Sequence, residues 1–114
     1  LYSNTGYTLL AQIVKRVSGK SLREFTTAEI FEPLEMRDTH FRDDYREVAP
    51  RMAYGYARLR DRFQFSIPTY DTVGASSLLT TVEDMAKWDA NFYSGKVGGA
   101  KFNETMLSEF TLNN

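Results

Sequence analysis

Leu10, Ile13, Val14 and Val17 fall at the i, i+3, i+4, i+7 spacing of one helix face, with Tyr7 a turn earlier. This stripe commits residues 6–18 to an amphipathic helix that needs a partner for its apolar side. Gly19 stops the helix because glycine tolerates the left-handed backbone of a C-terminal cap, and Lys15 and Arg16 complement the dipole of the last turn. Ser21-Leu22-Arg23-Glu24 then reads as a capping box opening a second helix from Leu22 to about Phe31, which Pro33 ends. Residues 34–52 are irregular and charged. Met52–Tyr56 and Phe63–Ile67 predict two short strands around the polar stretch Arg58–Arg62, a small hairpin with Tyr54 and Tyr56 on one face.

Thr81 offers a further N-cap, leading a helix whose Met85, Trp88 and Phe92 share one stripe and which Ser94-Gly95 closes. A last short helix is expected over Asn103–Phe110, carrying Met106, Leu107 and Phe110. The expected fold class is mainly α with a small β-hairpin. The 114 residues have room for one small domain or part of a larger one. The absence of a long apolar run excludes a membrane-spanning helix, and no signal peptide is visible.

Composition removes several chemistries. With no cysteine there is no disulfide framework, thiolate metal site or Cys nucleophile. The single histidine, His40, has Asp38, Asp43 and Asp44 nearby but lacks the fixed spacing a metal site needs, and reads as a half-buried surface residue. No metal and no cofactor is expected. Gly95-Lys96-Val97-Gly98-Gly99-Ala100-Lys101 lacks the Gly-Lys-Ser/Thr ending of a phosphate loop. A net charge of −1, with Asp61 inside the Arg58-Arg60-Arg62 cluster, argues against nucleic acid and for a solvated hairpin tip.

Tyr2-Ser3-Asn4 carries the most chemistry. In an extended segment the phenol and the carboxamide, two residues apart, point to the same side. One can move a proton while the other grips a carbonyl. A phenol with a pKa near ~10 is a poor base at neutral pH until a nearby ammonium lowers that value. The competing structural reading is an N-cap by Asn4 or Thr5 with Tyr2 as a hydrophobic staple.

Tyr2-Ser3-Asn4-Thr5-Gly6-Tyr7 through Ser18-Gly19-Lys20, Phe31-Glu32-Pro33-Leu34, Met36-Arg37-Asp38-Thr39-His40-Phe41 and Leu78-Leu79-Thr80-Thr81-Val82-Glu83-Asp84-Met85-Ala86-Lys87-Trp88 together resemble the serine β-lactamase and penicillin-binding protein superfamily, closest to its class C-like branch. The resemblance implies the helical subdomain of the α+β β-lactamase/transpeptidase-like fold, with the main sheet absent. Residues 1–114 are then a single partial domain. It assigns Tyr2 to activating the nucleophilic serine and protonating the leaving group, and Asn4 to orienting the substrate's amide carbonyl. Ser76, where relatives carry small residues beside the active site, is either a polar wall for substrate or part of a solvated loop at a helix N-terminus. Glu35 stands where the family commonly has glycine, so the turn before Met36 is expected to differ.

The family's Ser-x-x-Lys and Lys-Thr-Gly elements do not occur here: no serine has lysine three positions later. Their chain order and the start at Leu1 fit a segment from the middle of a longer protein. The expectation is a fragment of a serine hydrolase that opens a lactam, ester or D-Ala-D-Ala-type peptide bond through an acyl-enzyme, inactive alone. The alternative is a non-catalytic penicillin-binding-protein-like binding module. The implied partner is a small-molecule or peptide acyl substrate, the compartment implied by the resemblance is bacterial periplasmic or extracellular, and exposed apolar stripes predict a homodimer.

Overall fold

The computed structural model describes residues 2–67, 69 and 71–109. Helix α1 spans Asn4–Ser18, two residues earlier than the apolar stripe suggests, because Ser3 supplies the N-cap. Gly19 closes it in the left-handed conformation (φ 74°), its N–H bonded to the Lys15 carbonyl. Of this helix only Ala11 is buried, while Leu10, Ile13 and Val17 are exposed. The capping box forms as expected: Ser21 Oγ accepts from the Glu24 N–H and the Glu24 carboxylate accepts from the Ser21 N–H, opening α2 at Leu22–Thr26.

The expected helix to Phe31 is continuous but changes pitch, with Thr27–Phe31 forming a π-helical turn. The Thr26 hydroxyl bonds back to the Leu22 and Arg23 carbonyls at the junction, a local competition that favours bending. The looser turn swings Phe31 inward, where it joins Leu34 and Met36 as the core, packed by Ile30, Phe41, Trp88 and Val97. Glu35, in the turn between them, has a positive φ of 59°.

Two strand pairs follow. Strand β1, His40–Phe41, pairs antiparallel with β4, Leu78–Leu79. This link between distant segments was not expected from periodicity, since two-residue strands leave no pattern. The hairpin is present but displaced toward its turn: β2 is Tyr56–Leu59 and β3 Arg62–Phe65, so the expected Met52–Tyr56 strand keeps only Tyr56, and the turn narrows from Arg58–Arg62 to Arg60 and Asp61, with Arg60 left-handed (φ 54°). Thr81 caps α3, Val82–Ser94, and Gly95 ends it.

The deepest residues of α3 correct the expected apolar stripe. Asp84 and Asn91 are buried, Trp88 and Phe92 partly so, and Met85 is exposed. Asn91 makes paired hydrogen bonds with the Val97 backbone, folding the Gly95–Gly98 loop back, and Asn103 Nδ2 reaches the Asn91 and Phe92 carbonyls. Asn103 belongs to α4, Gly99–Leu107, which starts and ends earlier than the expected Asn103–Phe110. Phe110 lies outside the described residues.

Candidate active site

The N-terminus of α1 separates the two competing readings of Tyr2-Ser3-Asn4. Ser3 is extended (φ −144°, ψ 114°) and its Oγ accepts from the Gly6 N–H at 3.2 Å, so Ser3 is the cap and neither Asn4 nor Thr5 takes that role. Asn4 begins the helix with its side chain exposed, and its backbone carbonyl accepts from the Thr8 hydroxyl. Tyr2 is 69% exposed, and its ring lies 5.5 Å from that of Tyr7, tilted by 32°, the contact between the residue before the cap and the fourth helical residue that the staple reading expects. No hydrogen bond joins the Tyr2 hydroxyl or the Asn4 carboxamide to another described residue. A phenol and a carboxamide thus flank one extended residue, both open to solvent.

Ser76 lies on the loop that crosses α1. Gly74, at φ 105°, sits so close that a Cβ there would approach the Tyr7 carbonyl oxygen to 2.5 Å and the Ala11 Cβ to 3.0 Å. Glycine is required at that crossing for both space and backbone angle. The loop therefore rests on the helix roughly one turn below Asn4. Ser77 is left-handed (φ 74°), its Oγ donates to the Thr72 carbonyl, and its carbonyl accepts from the Arg42 N–H. Ser76 is exposed and lines a cavity of about 200 Å³ with Tyr54, Ser66, Ile67 and Leu78. Sequence reasoning missed this cavity, because the strand pairing that assembles it joins residues about forty positions apart.

Loop and helix are held by polar anchors. Asp84, 2% exposed, accepts from the Asp38 N–H and the Thr39 hydroxyl, both at 2.8 Å, and from Lys87 Nζ at 2.7 Å. Burial pushes its carboxyl pKa up, but those donors outweigh burial and hold it below the usual range. The Thr39 hydroxyl also meets that of Thr80, one residue past β4. A second cluster joins α2 to the following loop: Arg23 makes a bidentate pair with Glu47 at 2.6 and 3.0 Å and reaches Asp43 at 2.9 Å. The Arg23 hydrogen bonds hold the Glu47 carboxyl below its ordinary pKa. His40 is half-buried against this cluster, with Nε2 3.2 Å from Glu47. Among the described residues no group of three or more His, Asp or Glu is arranged to hold a metal ion.

A family model described as Beta-lactamase matches residues 1–113. The teichoic acid D-alanine hydrolase of Staphylococcus aureus is 30% identical over 112 residues, covering 96% of this chain. The chain spans 28% of that relative's length. Among solved structures, a D-amino acid amidase from Ochrobactrum anthropi SV3, complexed with D-phenylalanine, matches at a TM-score of 0.73 and 26% identity, over 91% of this chain and 33% of that one. A penicillin-binding protein from Bacillus halodurans superposes at a TM-score of 0.86 over all of this chain and 36% of its own, at 20% identity, a likeness of fold.

Proposed function

The chain belongs to the beta-lactamase family of serine hydrolases, and from that premise we propose that it is the Tyr-x-Asn segment of a longer hydrolase that cleaves a D-aminoacyl ester or amide. Both the S. aureus relative and the O. anthropi neighbour bear names that describe D-amino acid chemistry. In this reading the nucleophilic serine and its lysine come from a Ser-x-x-Lys outside these 114 residues.

The serine oxygen forms a bond to the acyl carbon as Tyr2, tuned by the lysine ammonium, takes its proton. The bond to the leaving nitrogen or oxygen then breaks as Tyr2 returns that proton, and water releases the acyl group by the same exchange. Asn4 fixes the substrate carbonyl, which makes the attack effectively intramolecular. Ser76 lines a separate cavity that neither Tyr2 nor Asn4 enters, and its assignment to the substrate wall rests on the family resemblance alone.

The observation carrying this reading is that Ser3 alone caps α1, leaving the Asn4 carboxamide and the Tyr2 hydroxyl exposed and without a hydrogen-bond partner among the described residues, while the Tyr2 ring is held against Tyr7. The test is single-turnover acylation of the longer protein by a lactam, a simple ester and a D-Ala-D-Ala peptide. Tyr2→Phe is expected to slow acylation by ~10²- to 10⁴-fold with the fold intact, while the 114-residue chain alone turns nothing over. An unchanged rate in Tyr2→Phe refutes the assignment. Ligand binding without turnover in a longer protein lacking Ser-x-x-Lys would make it a binding module instead.

A further inference from the structure

The β2–β3 hairpin stands out from the rest of the fold: every residue of both strands is exposed. Pairing sets Tyr56 opposite Phe65 and Arg58 opposite Phe63, and directly opposed residues share a face. Tyr54, just before β2, packs edge-on to Phe65 at 5.9 Å, while Tyr56 lies 5.0 Å from the same ring. The four aromatic residues, Tyr54, Tyr56, Phe63 and Phe65, are between 51% and 70% exposed. A two-stranded hairpin of this kind is marginal in water on its own, and its largest side chains form one apolar face that water covers poorly. Arg58 belongs to that face at its turn end, its Nε donating to the carbonyl of Arg60 in the turn, whereas Arg62, paired with Leu59, lies on the other face; with Asp61 the only acid among them, the turn end carries a local positive excess in a chain of net charge −1.

Aromatic rings beside guanidinium groups suit an anionic lipid–water boundary. Tyr and Phe settle at headgroup depth while arginine stems lie along apolar surface and their heads reach lipid phosphates. Single-stranded nucleic acid also takes arginine and aromatic contacts, but it calls for a basic groove that tracks the strand, and this hairpin is an exposed projecting ribbon. We propose that the β2–β3 hairpin is a peripheral membrane-docking element that lays its Tyr54, Tyr56, Phe63 and Phe65 face on an anionic bilayer, with Arg58 and Arg60 on the lipid phosphates. Seated this way, it holds the Ser76 cavity at its own base close to the bilayer surface. The proposal does not depend on the hydrolase reading.

Co-sedimentation of the 114-residue chain with vesicles tests it, using phosphatidylcholine alone and phosphatidylcholine mixed equally with phosphatidylglycerol. Binding is expected to the anionic vesicles only and to weaken with added salt. R58Q/R60Q should lower partitioning by about fivefold for each arginine removed, and F63S/F65S should abolish it. V82S/Y93S, which removes exposed apolar surface on α3 instead, should bind like the parent, and circular dichroism should show all three variants equally helical. Equal binding to neutral vesicles, no binding at all, loss through the α3 variant rather than the hairpin variants, or binding to a single-stranded oligonucleotide but not to vesicles would each overturn the proposal.

Discussion

Asp84→Ala severs a buried polar link between the segment before β1 and the start of α3. Asp84 is fully buried at the start of α3, and its carboxylate takes donors from Asp38 and Thr39, which lie 46 and 45 residues earlier. Alanine leaves the Asp38 N–H and a buried hydroxyl short of an acceptor and strips Lys87 of its anion. Removing one member of a buried, hydrogen-bonded ion pair costs ~3–5 kcal/mol. Two features place this case at the lower end. Lys87 is 41% exposed and partly screened, and Thr39 keeps its contact with Thr80. A loss of about 3 kcal/mol is a large share of the ~5–15 kcal/mol that holds a typical domain folded.

Asp84→Asn keeps the shape and removes the charge, so it isolates the pH dependence. The folded-state pKa of Asp84 is depressed, so its stabilisation is fully present above the unfolded value near ~3.9 and is lost as pH falls through the folded value. Urea denaturation of parent and Asp84→Asn across a pH series should therefore show a constant gap from neutrality to about pH 5 that closes in stronger acid. Other depressed carboxyls, such as Glu47, act on both proteins alike. An Ala variant within ~0.5 kcal/mol of the parent, the range of an ordinary surface change, or a gap that persists in acid, would refute the reasoning.

Ser3→Ala should lower stability by ~1 kcal/mol through loss of the α1 cap, whereas Asn4→Ala should leave thermal melting unchanged. Equal losses in the two would return Asn4 to a structural role. Glu35→Gly should raise stability by roughly 0.5–1 kcal/mol, because relief of the left-handed strain exceeds glycine's entropic cost; a lower melting temperature would contradict this. Finally, we propose that the bare Leu10-Ile13-Val17 stripe of α1 drives homodimer formation, since ~400 Å² of apolar surface left in water forgoes ~10 kcal/mol. Light scattering over a concentration series should show the dimer, and a monomer throughout would count against it.

Helix ends were legible wherever the determinant was local. The Ser21–Glu24 capping box, the Gly19 and Gly95 stops and the Thr81 cap each depend on side chains and dihedrals within a turn, so their residue types announce them. The start of α1 was misplaced because Ser3, Asn4 and Thr5 are all competent caps, and only the extended backbone at Ser3 selects one. The hairpin was legible as a motif but not in register, since its exposed strands bury no face that would pin the alternation.

The amino-acid sequence by itself determined the mainly helical class, the helix caps and the presence of the Tyr2-Ser3-Asn4 motif, because periodicity, capping and motif identity are properties of neighbours along the chain. Tertiary structure alone decided that polar Asp84 and Asn91, rather than Met85, face inward on α3, that His40–Phe41 pairs with Leu78–Leu79, and that the Ser76 loop crosses α1 at Gly74. An aspartate after Thr81 reads locally as one more first-turn acid; its burial becomes favourable only once Asp38 and Thr39 arrive from far along the chain to satisfy it.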